Sequence, residues 1–531
     1  FLTKPMLAFS MYQQERSTSK DYHGREVLEL LQNAADQAVL AKVRGKVHIE
    51  LASEYLLFAN NGTPFSKKGV QSLQNPHVSA KRSAKLVGNK GLGFRSILNW
   101  SFQPAIFSGN LTLAYTREKL RSLEQALTSK SEQYAKELSE GFSKGESPRL
   151  PLLPFPLFGD EENPIELSSF NSAMISRCET LKKEGFDTVI AMPFTNVEAF
   201  KNADEQLSKL DIELLLFVKG LGEIDINRNV VTTRFSRKKR GDQVSLFEDK
   251  KLISRWFLYE STGDLPDSMQ DVENDTSGFE LAVAVPMDDL PSAESGFLYT
   301  YFSTQLEVPI RSRCHATLEL NQSRNHLIDS DKNEFIIKEL AKFVAEVAEI
   351  ATDTKLANTA YLLAKPEGDA GKDKHQQQFR NELLAALRVK CIVPTISGEV
   401  VCPENAIGIL NADNDWMPKR HFPDVIHTWH DGDNEFFESI GVDFLNDSDV
   451  IMKLITLTDL STKERAQLIW GVESYAPNLA HPGLLIAEGE VESDSRVFTF
   501  SEQLAEIVLP NWSRILLLDE ELKEEMLQKF E

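Results

Sequence analysis

Residues 21–44 carry apolar and polar positions with the period of an α-helix, which predicts one amphipathic helix with Leu28 and Leu31 on its packed side. The pattern then changes. Residues 47–51 and 55–59 predict two strands joined by a short turn. From 64 to 86 large apolar residues are scarce, and Lys67, Lys68, Lys81, Arg82 and Lys85 punctuate the run. That composition is the one expected of a mobile lid. A further helix is predicted to start over 94–99, and two strands over 105–115. The polar residues 1–20, with scattered aromatics, predict an arm.

Residues 117–145 are rich in Glu, Lys, Gln, Leu and Ala and predict an exposed helix. The proline-rich run 148–164 breaks regular structure, and 186–194 (FDTVIAMPF) returns to β. A second domain is predicted to begin near Val197. Its strand signals are 223–226, 230–234, 243–247, 279–285 and 297–302, and a helix follows at 334–352. The acidic run 263–278 reads as a surface loop. Residues 368–378 read as a linker to a third region with a helix at 379–388 and a strand–turn–strand unit at 389–403. Further helices are expected near 434–440, 448–457, 462–471 and 501–508. The fold class expected is α+β, in three parts: 1–197 (lid about 64–90, insertion about 117–185), 198–364 and 365–531.

Composition narrows the function without naming it. The 531 residues are 41% hydrophobic and 26% charged, ordinary for a soluble globular chain. No apolar run approaches the roughly 20 residues that cross a bilayer, so no membrane contact and a cytoplasmic location are expected. The chain begins at Phe1 rather than Met, which suggests numbering that starts inside a longer protein. Cys178, Cys314, Cys391 and Cys402 form no CxxC pair and no disulfide-dense framework, which fits a reducing compartment. A net charge of −22 argues against a broadly basic nucleic-acid surface. The local run Arg234, Arg237, Lys238, Lys239 and Arg240 reads as a solvated hairpin tip, with a phosphate or acidic-partner contact as the alternative.

Three short segments carry candidate chemistry. They are ELLQNAAD (29–36), NNG (60–62) and GNKGLGFRS (88–96). Helical spacing puts Glu29, Asn33 and Asp36 on one face at i, i+4 and i+7. A carboxylate and a carboxamide one turn apart suit a hydrated Mg²⁺ and an activated water. Glu29 is the candidate general base, with a solvated surface carboxylate as the competing reading. Asn33 is the candidate metal ligand. Asp36 either assists through a water or simply decorates the helix surface. In the third segment Gly88, Gly91 and Gly93 free backbone N–H groups to cradle phosphate oxygens. Leu92 and Phe94 complete that loop. Lys90 meets a phosphate or points outward, and Ser96 is the hydroxyl expected to tie the loop to the helix that follows.

The order and spacing of these motifs resemble the GHKL ATPases: gyrase, the ninety-kilodalton heat-shock chaperone, histidine kinases and MutL. The match is closest to the chaperone and sacsin-type branches through ELLQNAADQA, FANNGTPF and GNKGLGFRS. The resemblance implies a two-layer α/β sandwich that binds ATP, then a transducer domain and a C-terminal α/β accessory region. It implies that Asn60 stands where many members carry an aspartate that accepts from the adenine amino group. Asparagine can accept the same bond without charge assistance. Pro64 departs from the second glycine of that motif. Gly62 would allow close approach of the base, against a plain Asn-Gly turn. Thr188 would meet adenine through its hydroxyl and an ordered water. Arg324, in LNQSRNHL, would reach the terminal phosphate on domain closure, against a structural salt bridge.

The activity implied is Mg²⁺-dependent ATP hydrolysis that times a conformational cycle, chaperone-like or within a defence or quality-control assembly with a protein partner or client. One alternative is an ATP-gated scaffold with negligible hydrolysis. The other is a DNA-processing ATPase of the MutL or topoisomerase kind, which would need nucleic acid at a basic groove. A homodimer through an exchanged arm at 1–20 is a further implication. The cluster His421, His427, His430, Asp431 and Asp433 fits no zinc spacing, and loop histidines are the commoner explanation.

Overall fold

Period-two runs between residues 45 and 316 pair into one sheet of fourteen strands. The structure is a computed structural model. It describes residues 5–74, 93–140, 148–160, 162–228, 231–270, 277–288, 296–321, 326–368, 371, 373–409, 419–421, 423–427, 430, 432–454, 456–457, 459–475, 486–487, 490–491, 497–498, 516–517 and 520–527. The chain divides into two units, Phe1–Phe343 with Pro366–Phe379, and Val344–Lys365 with Arg380–Glu531.

In the first unit the strands are β1 (Gly45–Leu51), β2 (Tyr55–Asn60), β3 (Ala105–Ser108), β4 (Leu111–Ala114), β5 (Leu157–Gly159) and β6 (Thr188–Pro193). After residue 197 come β7 (Leu221–Arg228), β8 (Val231–Arg240), β9 (Gln243–Glu248), β10 (Lys251–Asp264), β11 (Gly278–Pro286), β12 (Phe297–Thr300), β13 (Phe302–Glu307) and β14 (Arg313–Ala316). Their order is β13-β12-β14-β11-β10-β9-β8-β7-β1-β2-β6-β3-β4-β5. Strands from before and after residue 197 therefore fill opposite ends. They meet at β1 and β7, which run parallel, with Val47 opposite Ile224. The sheet is mixed, since β12 and β14 are also parallel while the other pairs are antiparallel.

Helix α1 (Pro5–Asp21) occupies the stretch expected to be an arm. Its apolar content is low, and tertiary bonds hold it: the Glu15 carboxylate accepts from Leu152 N (2.6 Å) and Leu153 N (3.2 Å), and Ser19 Oγ donates to Asn99 (2.6 Å). Helix α2 (Glu26–Ala41) lies inside the predicted 21–44 and closes on Lys42, whose φ of 55° ends it. A short α3 (Lys67–Gln74) opens the expected lid; residues 75–92 are outside the described residues. Gly93–Asn99 is a 3₁₀ helix rather than the start of an α-helix. Residues expected as one exposed helix form α4 (Arg117–Lys130) and α5 (Glu132–Glu140), and α4 buries Leu120, Glu124 and Leu127.

Alternation along β2 and β6 sends Leu56, Phe58, Ile190 and Met192 into the core beneath α2, and Leu57, Ala59, Val189 and Ala191 into a second core. Helix α6 (Ser172–Lys183) closes that second core with Met174, Cys178 and Leu181. Two layers were expected here; α6, from within the expected insertion, makes a third. Helix α7 (Val197–Ser208) and the short α8 (Leu214–Phe217) link β6 to β7.

Helix α9 (Asp331–Ala351) runs across the division between the units. In the second unit Lys365 Nζ is bonded to Asp433 (2.7 Å), and Tyr361 Oη donates to the same carboxylate (2.6 Å). Cys391 and Cys402, whose spacing shows no pairing motif, are joined as a disulfide beside the paired Val393 and Val401. Cys178 and Cys314 are buried free thiols. The helix expected near 501–508 is outside the described residues. Among the described residues no helix is long and apolar enough to cross a membrane.

Candidate nucleotide site

Helix α2 is the centre of the site. Its first turn carries Glu26 and Glu29, where the positive end of the helix dipole favours carboxylates. Glu29 and Asp36 are both buried and Asn33 is half-buried. The readings of Glu29 and Asp36 as solvated surface groups are thereby overturned: the fold takes both carboxylates out of bulk water. Burying charge is costly without a compensating environment, and both carboxylates have interaction partners within the fold.

Glu26 anchors the start of the helix. Its carboxylate accepts from Gly24 N (2.9 Å), Gln206 Nε2 (2.5 Å) and Asn99 Nδ2 (2.8 Å). Three elements besides α2 thus converge on one buried residue that the sequence reading did not single out.

Three glycines press against α2. Gly93 packs onto the Glu29 carboxylate so closely that a β-carbon there would overlap it. Gly62, at φ +130°, lies against the helix backbone, where a β-carbon would stand 2.7 Å from the Gln37 carbonyl carbon. Thr63 N donates to Gln37 O (3.2 Å). Gly220, at φ +92°, packs in the same way on Ala35 O, at 2.7 Å. The first two belong to predicted motifs. Gly220 was missed, because its partner is set by the parallel pairing of β1 with β7, which no local spacing reveals.

Around Gly62 the strands supply polar groups. Asp187 Oδ2 accepts from Gly62 N (2.8 Å), and Asn60 Nδ2 donates to Asn61 O (3.1 Å). Asn60 and Thr188 face each other in the register of β2 and β6, and both are buried. The Thr188 hydroxyl lies 2.7 Å from Ser108 Oγ, which also accepts from Phe65 N at 2.9 Å. Asp187 and Ser108 are further site residues that sequence reasoning passed over.

Phe94 meets Phe65 edge to face at 6.4 Å, joining the second and third motifs. Arg95, also buried, donates to Leu73 O at the end of α3 (2.9 Å). Ser96 does not make the tie expected of it: among the described residues its Oγ is buried with no hydrogen-bond partner. Arg95 and Phe94 provide the connection instead. Gly88, Lys90, Gly91, Leu92 and Arg324 lie outside the described residues. Flanking Arg324, Leu320 and Leu327 pair as an antiparallel bridge.

Two electrostatic features border the site. Burial pushes the Glu15 carboxyl up to about 7, against the pull of the Leu152 and Leu153 N–H groups and the charge of Arg95. Burial likewise raises the Tyr301 phenol, with Glu280 and Asp36 adding to the effect.

The other candidates are drawn into structural bonds. Arg234 forms a two-pronged pair with Asp225 (2.7 Å each), Arg237 donates to Leu215 O (3.0 Å) and Lys239 pairs with Glu260 (2.5 Å). All lie in β8, whose exposed end at Lys238, Lys239 and Arg240 leads into the turn to β9, with Arg240 opposite Gln243. Asp433 is taken by Lys365, Tyr361 and His430 N (3.0 Å), and His421 faces Glu464 at 3.7 Å. Asp431 is outside the described residues, and His427 N donates to Pro394 O (2.8 Å).

No protein-family model matches the chain. Protein NO VEIN of Arabidopsis thaliana is similar to it, 24% identical over 308 residues, a match that takes in 55% of this chain and 9% of that protein. The chain spans less than a tenth of that relative's length.

Proposed function

We propose that this chain is a GHKL-type ATPase, in which α2 and the glycine loop hold the triphosphate of ATP while β2 and β6 hold its base. The observation that carries the reading is the seating of Gly93 on the Glu29 carboxylate. It brings the exit of a glycine loop against an acidic group, the juxtaposition that hydrolysis of a terminal phosphate needs. Converging polar groups at Asn60, Gly62, Asp187 and Thr188 give the second support.

Each residue then has a task set by its chemistry. Glu29, held out of bulk water, orients a water and takes its proton as the bond to phosphorus forms. Asn33, one turn on and half-exposed, offers a neutral carbonyl to Mg²⁺, which when bound neutralises the phosphate oxygens. Because Asn60 Nδ2 is spent on Asn61 O, its Oδ1 is the atom left to accept from a base amino group. Ser108 accepts from Phe65 N and shares a hydrogen bond with Thr188. With Ser108 as the donor of that bond, Thr188 keeps a hydroxyl hydrogen to offer to a ring nitrogen or its water. Gly62 keeps the floor of the base pocket flat. Closure of the lid and of the strands beyond residue 197 would turn hydrolysis into a timed conformational cycle.

Changing Glu29 to Ala tests the reading. Phosphate release from ATP should fall by about 100-fold or more, while ATP binding persists. Slow release that the substitution leaves unchanged would instead mark the chain as a nucleotide-gated scaffold.

A further inference from the structure

A second cavity, of about 500 Å³, lies between α1, the end of the 3₁₀ helix Gly93–Asn99 and the start of α4. Its lining differs from that of the site on α2. Tyr12, Arg16 and Lys20 recur at every fourth position of α1 and form one stripe along its wall. Arg117 faces them from α4, with its guanidinium over the Phe102 ring at 4.6 Å from the centroid. Arg16 donates to Tyr12 Oη (3.0 Å) and lies over that ring as well. Leu98, Leu120 and Leu152 supply apolar wall.

The charges here are unusual for this chain. Against a net charge of −22, the cavity mouth gathers cations, and neither Arg16 nor Lys20 meets a carboxylate among the described residues. Glu15 also lines the space, but its oxygens are turned onto Leu152 N and Leu153 N. What remains for a ligand is positive charge at the mouth and two aromatic rings, each paired with a guanidinium. Those guanidinium planes stack on flat rings and bond phosphate oxygens equally well. The volume lies in the range of sites for small organic ligands.

We propose that this cavity binds a nucleoside phosphate, distinct from the nucleotide on α2, with its phosphates at Arg16 and Lys20 and its base against Phe102 and Arg117. The cavity is not isolated from the first site. Asn99 lines it, donates to Ser19 O (2.7 Å) on α1 and to Glu26 (2.8 Å) at the head of α2, and ends the same 3₁₀ helix whose first residue, Gly93, touches Glu29. An occupant therefore bears on the 3₁₀ helix that seats Gly93 on Glu29.

Calorimetric titration of the intact chain with ADP counts the sites. Two are expected. With Mg²⁺ present throughout, reversing charge with Arg16→Glu and Lys20→Glu together should remove one or weaken it at least tenfold, whereas Asn33→Ala should weaken the other to its Mg²⁺-free affinity. Both α1 residues are exposed, so an unchanged melting temperature checks the fold, and the milder Arg16→Gln, Lys20→Gln pair serves if charge reversal unfolds the chain. Equal site counts and affinities in the native chain and the α1 variants overturn the proposal. Loss of a site in the α1 variants with no effect of Asn33→Ala would uphold this cavity and remove the reading of α2.

Discussion

Gly93 lies directly on the carboxylate of Glu29, so the last glycine of GNKGLG and the candidate base of ELLQNAAD share one van der Waals boundary. Any side chain at position 93 must displace one or the other. If Glu29 is the base, a shift of about 1 Å in it costs on the order of 100-fold in rate, which makes the glycine a positioning element in the proposed mechanism. Gly93→Ala should lower phosphate release by about that factor while the melting temperature changes little. Native turnover in a folded Gly93→Ala chain would show that Glu29 stands outside the chemistry.

Asp187 holds Gly62 by its backbone N–H at 2.8 Å, one residue before Thr188. Removing the carboxylate leaves that donor unpaired beside the base pocket. A hydrogen bond to a charged group contributes about 1.5–3 kcal/mol, so Asp187→Ala should weaken ATP binding by about 10- to 100-fold. Equilibrium binding of a fluorescent ATP analogue reads this directly. An unchanged affinity would detach β6 from base recognition.

Glu15 makes stability depend on pH. Its carboxyl is raised from 4.5 to about 7 by burial, so the folded chain holds a proton that the unfolded chain has released. Stability from this group is fully present below about pH 4.5 and is lost as pH rises through about 7. The whole effect is about 3 kcal/mol at most. Urea denaturation of the native chain and of Glu15→Gln should give curves that diverge across that window, with the native chain losing more. Parallel curves would contradict the buried carboxyl.

What could be read from the sequence follows from how local each signal is. ELLQNAAD, NNG and GNKGLG are short runs whose spacing alone fixes which groups share a helix face or a turn; Gly93 packs on α2 at Glu29 and Gly62 packs on it at Gln37. Ser108, Asp187 and Gly220 were illegible because they reach the site through strand register and a parallel crossover. Helix α1 was read as an arm since its bonds through Glu15 and Ser19 reach residues about 80 and 140 positions away, which no window of sequence contains. Strand β10, fourteen residues long, went unseen because its charged and apolar positions alternate unevenly and much of it stays exposed. Ser96 shows the opposite failure. A motif hydroxyl suggested a tie, but the tight 3₁₀ turn buries it and hands that job to Arg95.

The most direct test of the account is calorimetric titration of the intact chain with ATP, with and without Mg²⁺, beside the Asn33→Ala variant. Saturable ATP binding that Mg²⁺ strengthens, and that Asn33→Ala loses only in its Mg²⁺-dependent part, is the predicted result. No heat of binding at millimolar ATP in the folded native chain would contradict it.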